Sequence, residues 1–423
     1  MKRYWILGTL VIVVVMTILP AFAIDGSSLK AEEQPGLTAP QSDDALANNN
    51  DFACTLFRTI NDLKQDDNSF VVSPISVSYL LGMLHEGAEG KTRQQIHDVL
   101  GLDGSVEEIN TYFKNMMDYA SNADAEVTVK TANCIDIITG QSLRPQYKAD
   151  MQNYYNAQID AVDYDDMSIL SKINNWCKKN TDGMIPEILK KGDLNPNRVM
   201  YLLNAVYFKA TWTTPFSAKG TREMDFMKQN GSTVKRQMMH LKTRAAYGKN
   251  DLCEMLRLNY GNGGYSMCVL LPRAGKTIDD IIQSLSAERL EQQRKREMHS
   301  HEVDILIPRF TTESETHLEG ILSSMGMPRA FSRTAEFPNM LQDHEDDIFV
   351  SMMKQKAKIE VNEEGTEAAA VTVAEMSVRS ASIGGPKIVQ FHATHPFVYY
   401  IVENSTGAIF FMGTYCGDEQ ISN

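Results

Sequence analysis

The sequence predicts a single α+β domain, because helical and strand patterns both occur along one uninterrupted chain of 423 residues. Apolar residues recur at helical spacing from Asp51 to Leu63. Val199 to Ala210 is a continuous apolar run, typical of a strand that is buried on both faces. No Pro/Gly/Ser-rich linker divides the middle of the chain, and we find no internal repeat. We therefore expect one large domain, although length alone would suggest two or three.

The first strand and the helix after it are marked by local signals. Phe70 to Val72 is a short apolar run that indicates a strand. Ser73 follows as a candidate N-cap, and Pro74 stands at the first helical position, where its missing N–H costs nothing. We expect this helix to end near Gly87.

The next elements alternate less regularly. Thr92 to Gln95 has the composition of a capping box and predicts a further helix that closes at Gly101. Val106 to Ala120 predicts an acidic amphipathic helix. Ile169 to Leu189 predicts another helix, with an exit at residues 183–186. Val127 to Ile138 reads as a strand.

Near the C-terminus, two apolar runs form a predicted hairpin. Phe397 to Val402 and Ile409 to Met412 are the strands, and the polar segment from Glu403 to Gly407 is the turn between them. This hairpin is expected to belong to the core.

The N-terminus has the features of an export signal. Lys2 and Arg3 precede an apolar run, and the segment 21–23 supplies a small-x-small cleavage pattern, so residues 1–23 are predicted to be a signal peptide. The apolar run is short for a membrane span of roughly 20 residues; a cleaved signal and an uncleaved anchor both remain open. Residues 24–47 predict a polar tether without a core, followed by the domain at 48–423. We expect a secreted, extracellular protein, or a periplasmic one in a bacterium.

Charge and cysteine content exclude several classes of function. The net charge of −13 argues against a nucleic-acid partner and, in the absence of a basic patch, against a heparin site. The six cysteines show no small-scaffold spacing, and we expect mostly free, buried thiols. No CxxC, HExxH or GxSxG motif occurs. We therefore expect no metal, no cofactor and no enzymatic activity, and we expect a monomer.

The stretch from Glu363 to Pro386 stands apart in composition. Between Gly365 and Arg379, the side chains are small, short or β-branched apart from two glutamates and one methionine. Read as a strand, alternate residues from Thr366 to Val378 form one face of small or apolar side chains that a packed core could accept. Ala and Glu are also good helix formers, so composition alone leaves an exposed helix or linker open.

Three stretches of the chain resemble the serpin family of protease inhibitors. Residues 361–370 resemble the hinge of the reactive-centre loop in inhibitory serpins, and residues 203–212 and 395–400 resemble two further family motifs, in the same order. The resemblance extends from about residue 48 to the C-terminus. It implies three β-sheets, about eight or nine helices and an exposed reactive-centre loop at about 363–386.

The resemblance also implies roles for individual residues. The implied hinge consists of Glu363, Glu364, Gly365, Thr366, Glu367, Ala368, Ala369 and Ala370. The region where the central sheet opens is implied to include Ser73, Ser76, Asn204, Gln355, Trp212 and Arg309. Gln355 takes the place of a family histidine as the partner of Asn204, which puts any pH sensitivity at that contact in doubt. Arg309 is expected to form an ion pair with Glu363.

Counting along the family's loop from Gly365 places the cleaved bond at Arg379-Ser380. Arg379 is also the only basic residue between Gly365 and Lys387, and a guanidinium suits the acidic specificity pocket of trypsin-like proteases. The resemblance implies a suicide substrate that traps the acyl-enzyme by inserting its loop into the central sheet. The alternatives are a non-inhibitory carrier or chaperone and an inhibitor of a cysteine protease. A hydrolase has no supporting nucleophile motif.

Overall fold

Nine α-helices and fifteen β-strands make up the part of the chain that the computed structural model describes. The described residues are 43–64, 66–138, 142–163, 166–194, 200–342, 348–366 and 388–418. The helices are α1 (Asp43–Leu63), α2 (Pro74–Gly87), α3 (Gly90–Leu100), α4 (Val106–Asn122), α5 (Pro145–Tyr155), α6 (Ser168–Asn180), α7 (Ile278–Ser284), α8 (Ala287–Gln292) and α9 (Glu319–Ser324). The expected mixture of helices and sheets is confirmed.

The strands are β1 (Phe70–Val72), β2 (Val127–Ile138), β3 (Gln158–Val162), β4 (Met200–Thr211), β5 (Arg222–Met227), β6 (Thr233–Lys249), β7 (Cys253–Tyr260), β8 (Tyr265–Pro272), β9 (His299–Pro308), β10 (Phe310–His317), β11 (Met352–Val361), β12 (Gly365–Thr366), β13 (Val389–His392), β14 (Phe397–Glu403) and β15 (Ile409–Tyr415). The strands β2, β4 and the β14–β15 hairpin lie where the sequence predicts them.

The six-stranded sheet has the order β10-β11-β12-β4-β2-β3. Its central seam lies between β11 and β4, which pair in parallel from Met352 opposite Tyr201 to Lys358 opposite Tyr207. Beyond that pairing, the two-residue strand β12 lies between β11 and β4 and is antiparallel to both. The sheet therefore already holds the first residues of an additional strand at one end of the seam.

The nine-stranded sheet contains the remaining strands in the order β1-β15-β14-β8-β7-β6-β9-β13, with β5 added on β6. The 17-residue strand β6 pairs with β5 and β9 along its length and with β7 at its end. The resemblance predicts three sheets, whereas the described strands form two hydrogen-bonded sheets, because β6 is long enough to connect two of the three.

Apolar residues fill both sides of the six-stranded sheet. The main core lies on one side, where the buried helix α2 packs against α4 and α5 and against strands of both sheets. A smaller cluster lies on the other side, where Ile173 and Cys177 of α6 and Ile188 of the connector 181–194 cover Leu203 and Met352. Burial of β4 on both faces follows from this arrangement, as the apolar run of that strand predicts.

Two predicted helix boundaries differ from the structure. The helix α6 ends at Asn180, shortly before the predicted exit at residues 183–186, because Asp182 and Gly183 adopt left-handed backbone conformations with φ of 50° and 85°. The connector that follows is held instead by Asn174, whose Oδ1 accepts hydrogen bonds from the backbone N–H groups of Ile188 and Leu189 at 2.9 and 3.0 Å.

The helix α3 begins at Gly90, so Thr92 lies inside its first turn and is not the N-cap. The backbone N–H of Thr92 donates to Oε2 of Glu336 at 3.1 Å, so a carboxylate from a distant segment satisfies this end of the helix.

The predicted tether is too long, because α1 begins at Asp43. Ala45 and Leu46 pack against the core, and Asp44 lies in the first turn, at the positive end of the helix dipole. The predicted boundary at residue 47 therefore falls inside a helix. The predicted signal peptide at 1–23 and the tether up to residue 42 lie outside the described residues.

Candidate functional site

The hinge enters the central sheet as β12. Gly365 pairs with Thr211 and Thr366 pairs with Ala210 on β4. A Cβ atom at Gly365 would lie 2.0 Å from the backbone oxygen of Ala210, so only glycine allows this approach. Thr366 is fully buried, and its hydroxyl hydrogen-bonds to the Tyr260 hydroxyl at 2.8 Å. Its side chain therefore faces the main core.

Trp212 lies directly beside the turn into the hinge. Its indole Nε1–H donates to the backbone oxygen of Asn362 at 2.9 Å, and its backbone N–H donates to the backbone oxygen of Glu364 at 2.8 Å. The ring stacks on Tyr260 with centroids 4.3 Å apart and 12° between the planes. Trp212 therefore supports the turn that leads into β12.

Glu363 is held by contacts from three segments. Oε1 of Glu363 accepts a hydrogen bond from the Thr221 hydroxyl at 2.6 Å, and the backbone oxygen of Glu363 accepts one from Phe216 N–H at 2.7 Å. Arg309 Nη1 lies 3.6 Å from Glu363 Oε2, so the expected ion pair forms. The Arg309 side chain is 50% exposed, so the pair contributes only ~0–1 kcal/mol to stability, and its geometric role is the larger one.

A row of buried amide side chains crosses the seam below the hinge. Gln355 Nε2 donates to Oδ1 of Asn204 at 3.0 Å, across the β11–β4 pair. Asn204 Nδ2 then donates to Oδ1 of Asn133 on β2 at 3.0 Å. Because buried amides need partners, this row holds three neighbouring strands in register, and the parting of β11 from β4 must break its first bond.

Gln355 also ties the seam to the start of α2. Ser73 N–H donates to Gln355 Oε1 at 2.8 Å, and Gln355 Nε2 donates to the Ser73 backbone oxygen at 3.0 Å. Ser73 is the N-cap of α2 by backbone conformation, but its hydroxyl donates to the Ser76 hydroxyl at 3.0 Å instead of capping a described backbone group. The structure thus brings the four residues Ser73, Ser76, Asn204 and Gln355 together.

A buried lysine on the opposite face of the seam is absent from the sequence-based predictions. Lys354 is fully buried, and its Nζ lies 2.8 Å from Asp193 Oδ2 and 2.9 Å from Glu315 Oε1. It also donates to the backbone oxygen of Ile188 at 3.3 Å. Lys354 therefore ties β11 to β10 and to the connector 181–194.

The two carboxylates around Lys354 favour the ionised form. Burial opposes ionisation of Asp193, but hydrogen bonds from the Lys190 backbone and from Lys354 outweigh it and lower its pKa. Burial also raises the pKa of Glu315, but the hydrogen bond and charge of Lys354, and then those of Lys190, outweigh it. The pKa of Glu315 therefore falls below its ordinary value. The arrangement compensates the charge of the buried ammonium group.

Other predicted residues lie outside the described part of the chain. They are Glu367, Ala368, Ala369 and Ala370 of the hinge, and Arg379 and Ser380 of the reactive bond. All six cysteines lie within it, and each is buried and unpaired, as expected. Among the described helices, none has the length and apolar content needed to cross a membrane.

The partners Asn133, Thr221 and Tyr260 were missed by sequence reasoning. Each is an ordinary polar or aromatic residue in a strand or loop, and its role depends on cross-strand register. The one available signal is the buried strand β4, since any strand paired with Asn204 must offer it a polar neighbour.

The comparison with known proteins agrees with this geometry. A family model described as Serpin (serine protease inhibitor) matches residues 47–417. Leukocyte elastase inhibitor A of Mus musculus is 33% identical over 378 residues, which cover 86% of this chain and 97% of that protein. Serpin I2 of Homo sapiens is 30% identical over 371 residues, which cover 86% of this chain and 89% of that protein.

Among solved structures, the native state of the thermophilic serpin tengpin matches with a TM-score of 0.81 at 28% identity, covering 88% of this chain and 94% of that chain. The family match spans the domain, and the fold agrees with it. The chain belongs to the serpin family of serine protease inhibitors.

Proposed function

We propose that this serpin is a secreted, monomeric suicide substrate of trypsin-like serine proteases, which it traps after cleavage at Arg379-Ser380. The observation that carries the proposal is the seating of Gly365 and Thr366 between β11 and β4. A loop that has started to enter the sheet needs only to be cut to continue. In this reaction the protein is consumed by its target and has no catalytic turnover of its own.

The proposed reaction begins as ordinary proteolysis. The protease serine attacks the carbonyl carbon of Arg379, the bond to the nitrogen of Ser380 breaks, and the new amino terminus takes a proton from the protease histidine. Arg379 stays esterified to the protease serine. An Arg side chain at this position suits a carboxylate at the base of the specificity pocket.

The pairing of β12 sets the register of insertion. Thr366 lies opposite Ala210 on β4 and opposite Val361 on β11. Antiparallel continuation of both pairings places Thr372 opposite Asn204 and opposite Gln355. The Thr372 hydroxyl then replaces the direct hydrogen bond that these two amides lose when the strands part.

The inserting face is matched to the core by its small side chains. In the same register, Ala368 and Ala370 follow Thr366 on the side of the main core, where little extra volume is tolerated. Roughly a dozen inserted residues at ~3.3 Å each would carry the attached protease on the order of 40 Å. A protease moved and distorted in this way would not complete deacylation, and this supports trapping over simple cleavage.

Secretion is supported by the N-terminal sequence. Residues 1–23 combine a basic start, an apolar run and a small-x-small pattern. No heparin requirement is proposed, because α4 is acidic in its first turn and the chain has a net charge of −13.

The decisive experiment is incubation with trypsin, followed by denaturing electrophoresis and mass spectrometry. We expect an SDS-stable adduct and a released peptide that begins at Ser380. The matched control is the variant Arg379→Leu, which should keep the native fold but lose the trypsin adduct. Unchanged trapping by that variant would place the reactive bond elsewhere.

An elastase-like target is the second candidate, because several relatives are named leukocyte elastase inhibitors. Val378 precedes Arg379 and offers an apolar residue for such an enzyme. A panel with trypsin-like, elastase-like and cysteine proteases separates these targets, since the first residue of the released peptide identifies the bond. If every protease cleaved the loop and none was retained, a non-inhibitory carrier or chaperone would replace the proposal.

A further inference from the structure

The row of polar side chains at the seam continues out of the sheet. Beyond Asn204, Asn133 donates its Nδ2–H to the backbone oxygen of Tyr155, the last residue of α5, at 3.1 Å. The Tyr155 hydroxyl donates to Oδ1 of Asn110 on α4 at 2.6 Å. Asn133, Tyr155 and Asn110 are all buried, so no water competes for these bonds.

The row ends on Glu86. Asn110 Nδ2 donates to Glu86 Oε2 at 2.6 Å, and Glu86 lies in the last turn of α2. Ser73, which is bonded to Gln355, is the N-cap of the same helix. The polar row and α2 therefore form a closed ring with both ends on one helix.

The side-chain donors of the row run toward Glu86 in two segments that meet at Tyr155. Gln355 donates to Asn204, Asn204 to Asn133, and Asn133 to the backbone oxygen of Tyr155. The Tyr155 hydroxyl then donates to Asn110, and Asn110 donates to Glu86. A carboxylate is the natural terminal acceptor of such a chain, and chains of aligned hydrogen bonds polarise one another. The Glu86 carboxyl is therefore connected to the seam through Tyr155, whose backbone oxygen and hydroxyl belong to the two segments.

Glu86 is surrounded by groups from three other helices. Asn110 faces it from α4, Arg93 from α3, and Asp150, Tyr147 and Tyr155 from α5. Burial raises the pKa of Glu86 to about 8; the hydrogen bond from Asn110 lowers it, the neighbouring Asp150 raises it, and Arg93 lowers it. On the same helix, burial lowers the pKa of His85 to about 4, with Arg93 and His97 acting in the same direction. Both tyrosines have pKa values raised well above the ordinary one.

We propose that Glu86 is a positioning residue for loop insertion, whose proton keeps the ring, and with it the β4–β11 seam, closed. The inference rests on the proposed function, since insertion must part Asn204 from Gln355. The protonated carboxyl donates to Asp150 and still accepts from Asn110. When the proton leaves, two carboxylates face each other between α2 and α5 and repel.

The repulsion acts on the helix that holds the row. Tyr155 ends α5, and its backbone oxygen is the acceptor for Asn133. Displacement of α5 therefore weakens the hold of Asn133 on Asn204, and the seam opens more readily. Because the folded chain binds this proton more tightly than the unfolded one, the stabilisation is full below about pH 4.5 and is lost as the pH rises to about 8.

Amide hydrogen exchange of the β4–β11 pairs tests this role without any protease. Glu86→Gln keeps an acceptor for Asn110 but carries no titratable proton. The exchange rates are corrected for intrinsic base catalysis. The wild type and Glu86→Gln should then exchange at the same rate near pH ~6.5, and near pH ~9 the wild type should exchange about 2- to 30-fold faster. The control Glu107→Gln removes an exposed carboxylate of α4 and should follow the wild type. A Glu86→Gln profile that follows the wild type at every pH overturns the proposal.

A second variant guards against a folding defect in the first. Asp150→Asn removes the other carboxylate and should also flatten the dependence of the exchange rate on pH. If the exchange rate of this variant rises with pH as steeply as that of the wild type, the proposed repulsion is contradicted. The stoichiometry of trypsin trapping, measured in parallel, keeps the two proposals separate. Absence of any adduct would refute the trapping function, whereas a normal adduct with unaltered exchange would refute only the role of Glu86.

Discussion

Gly365 occupies a position where the hinge backbone touches the backbone of β4. The atoms that a Cβ would meet are the oxygen of Ala210 at 2.0 Å and the Cα of Thr211 at 2.6 Å. Both belong to the buried sheet and cannot move aside as a flexible side chain would. The glycine is therefore what allows β12 to lie between β11 and β4.

Gly365→Ala should expel β12 from the seam. We expect a loss of about 1–3 kcal/mol in the free energy of unfolding, because overpacking a tight site has this cost, together with a higher proportion of cleaved but untrapped protein. Chemical denaturation and the trypsin stoichiometry measure the two effects. Gly320→Ala in α9 is the control, since nothing lies within 4 Å of its added Cβ. If both variants had the same free energy of unfolding and the same trypsin stoichiometry, the close contact at Gly365 would be contradicted.

Thr366 follows Gly365 in β12, and its side chain lies in the core. Thr366→Arg would place an unpaired charge beside Tyr260, at a cost of several kcal/mol. We expect trypsin to cleave this variant without forming an SDS-stable adduct, while Thr366→Ser, which keeps the hydroxyl, should still trap. A persisting adduct in the arginine variant would refute insertion as the trapping step.

Sequence reasoning reaches some of these residues and misses others. The hinge motif and the positions of Asn204, Gln355, Arg309 and Trp212 follow from family resemblance, because motifs are contiguous in sequence. The partners Asn133 and Lys354 do not, since their roles arise from strand register and from the path of a connector that no local pattern specifies.

At the scale of elements, the connector 181–194 links α6 to the seam. Ile188 packs in the apolar cluster under α6, and its backbone oxygen and the Asp193 carboxylate both contact Lys354. Any strand that enters between β11 and β4 in the register set by β12 passes directly beside Lys354. The connector and the seam therefore cannot move independently.

Lys354→Met should weaken this link. It leaves Asp193 and Glu315 close together without their shared cation, and we expect a loss of about 1–3 kcal/mol near neutral pH, moderated by the partial exposure of both carboxylates. Denaturant unfolding measures the change. Lys358→Met is the control, because Lys358 is on the same strand face but forms no ion pair with a described residue.

The pH dependence of that loss has a definite sign. Asp193 and Glu315 have folded-state pKa values below their ordinary 3.8 and 4.5, so their contribution is present above about pH 4.5 and is lost as the pH falls below it. Without Lys354 the pKa values of Asp193 and Glu315 rise, so the free energy of unfolding should depend less on pH in acid. An unchanged acid slope in Lys354→Met would contradict the assignment of these shifts to Lys354.

The elements themselves were predicted unevenly. β4 matches the structure because a long apolar run leaves few alternatives. The end of α6 was predicted a few residues too late, because Asp182 is not a strong helix breaker by type; its left-handed conformation depends on the packing of the connector that follows. The joining of two sheets through β6 was equally inaccessible, since hydrogen bonding between distant strands is a tertiary property.

At the scale of the whole molecule, the six-stranded sheet is incomplete. The seam admits two residues of the hinge and then closes into direct β11–β4 pairing. A sheet with one more central strand would gain two new sets of backbone hydrogen bonds and would bury the small face of the loop. On the proposed function, we therefore expect the intact chain to be a metastable form whose uncut loop prevents its relaxation.

Thermal unfolding of the intact and the loop-cleaved protein tests this claim most directly. The loop should be cut at Arg379 and the protease removed, and both forms should be compared by calorimetry at one pH. We expect the cleaved form to unfold at a clearly higher temperature, because its loop has joined the sheet. Equal unfolding temperatures, or a lower one for the cleaved form, would contradict it.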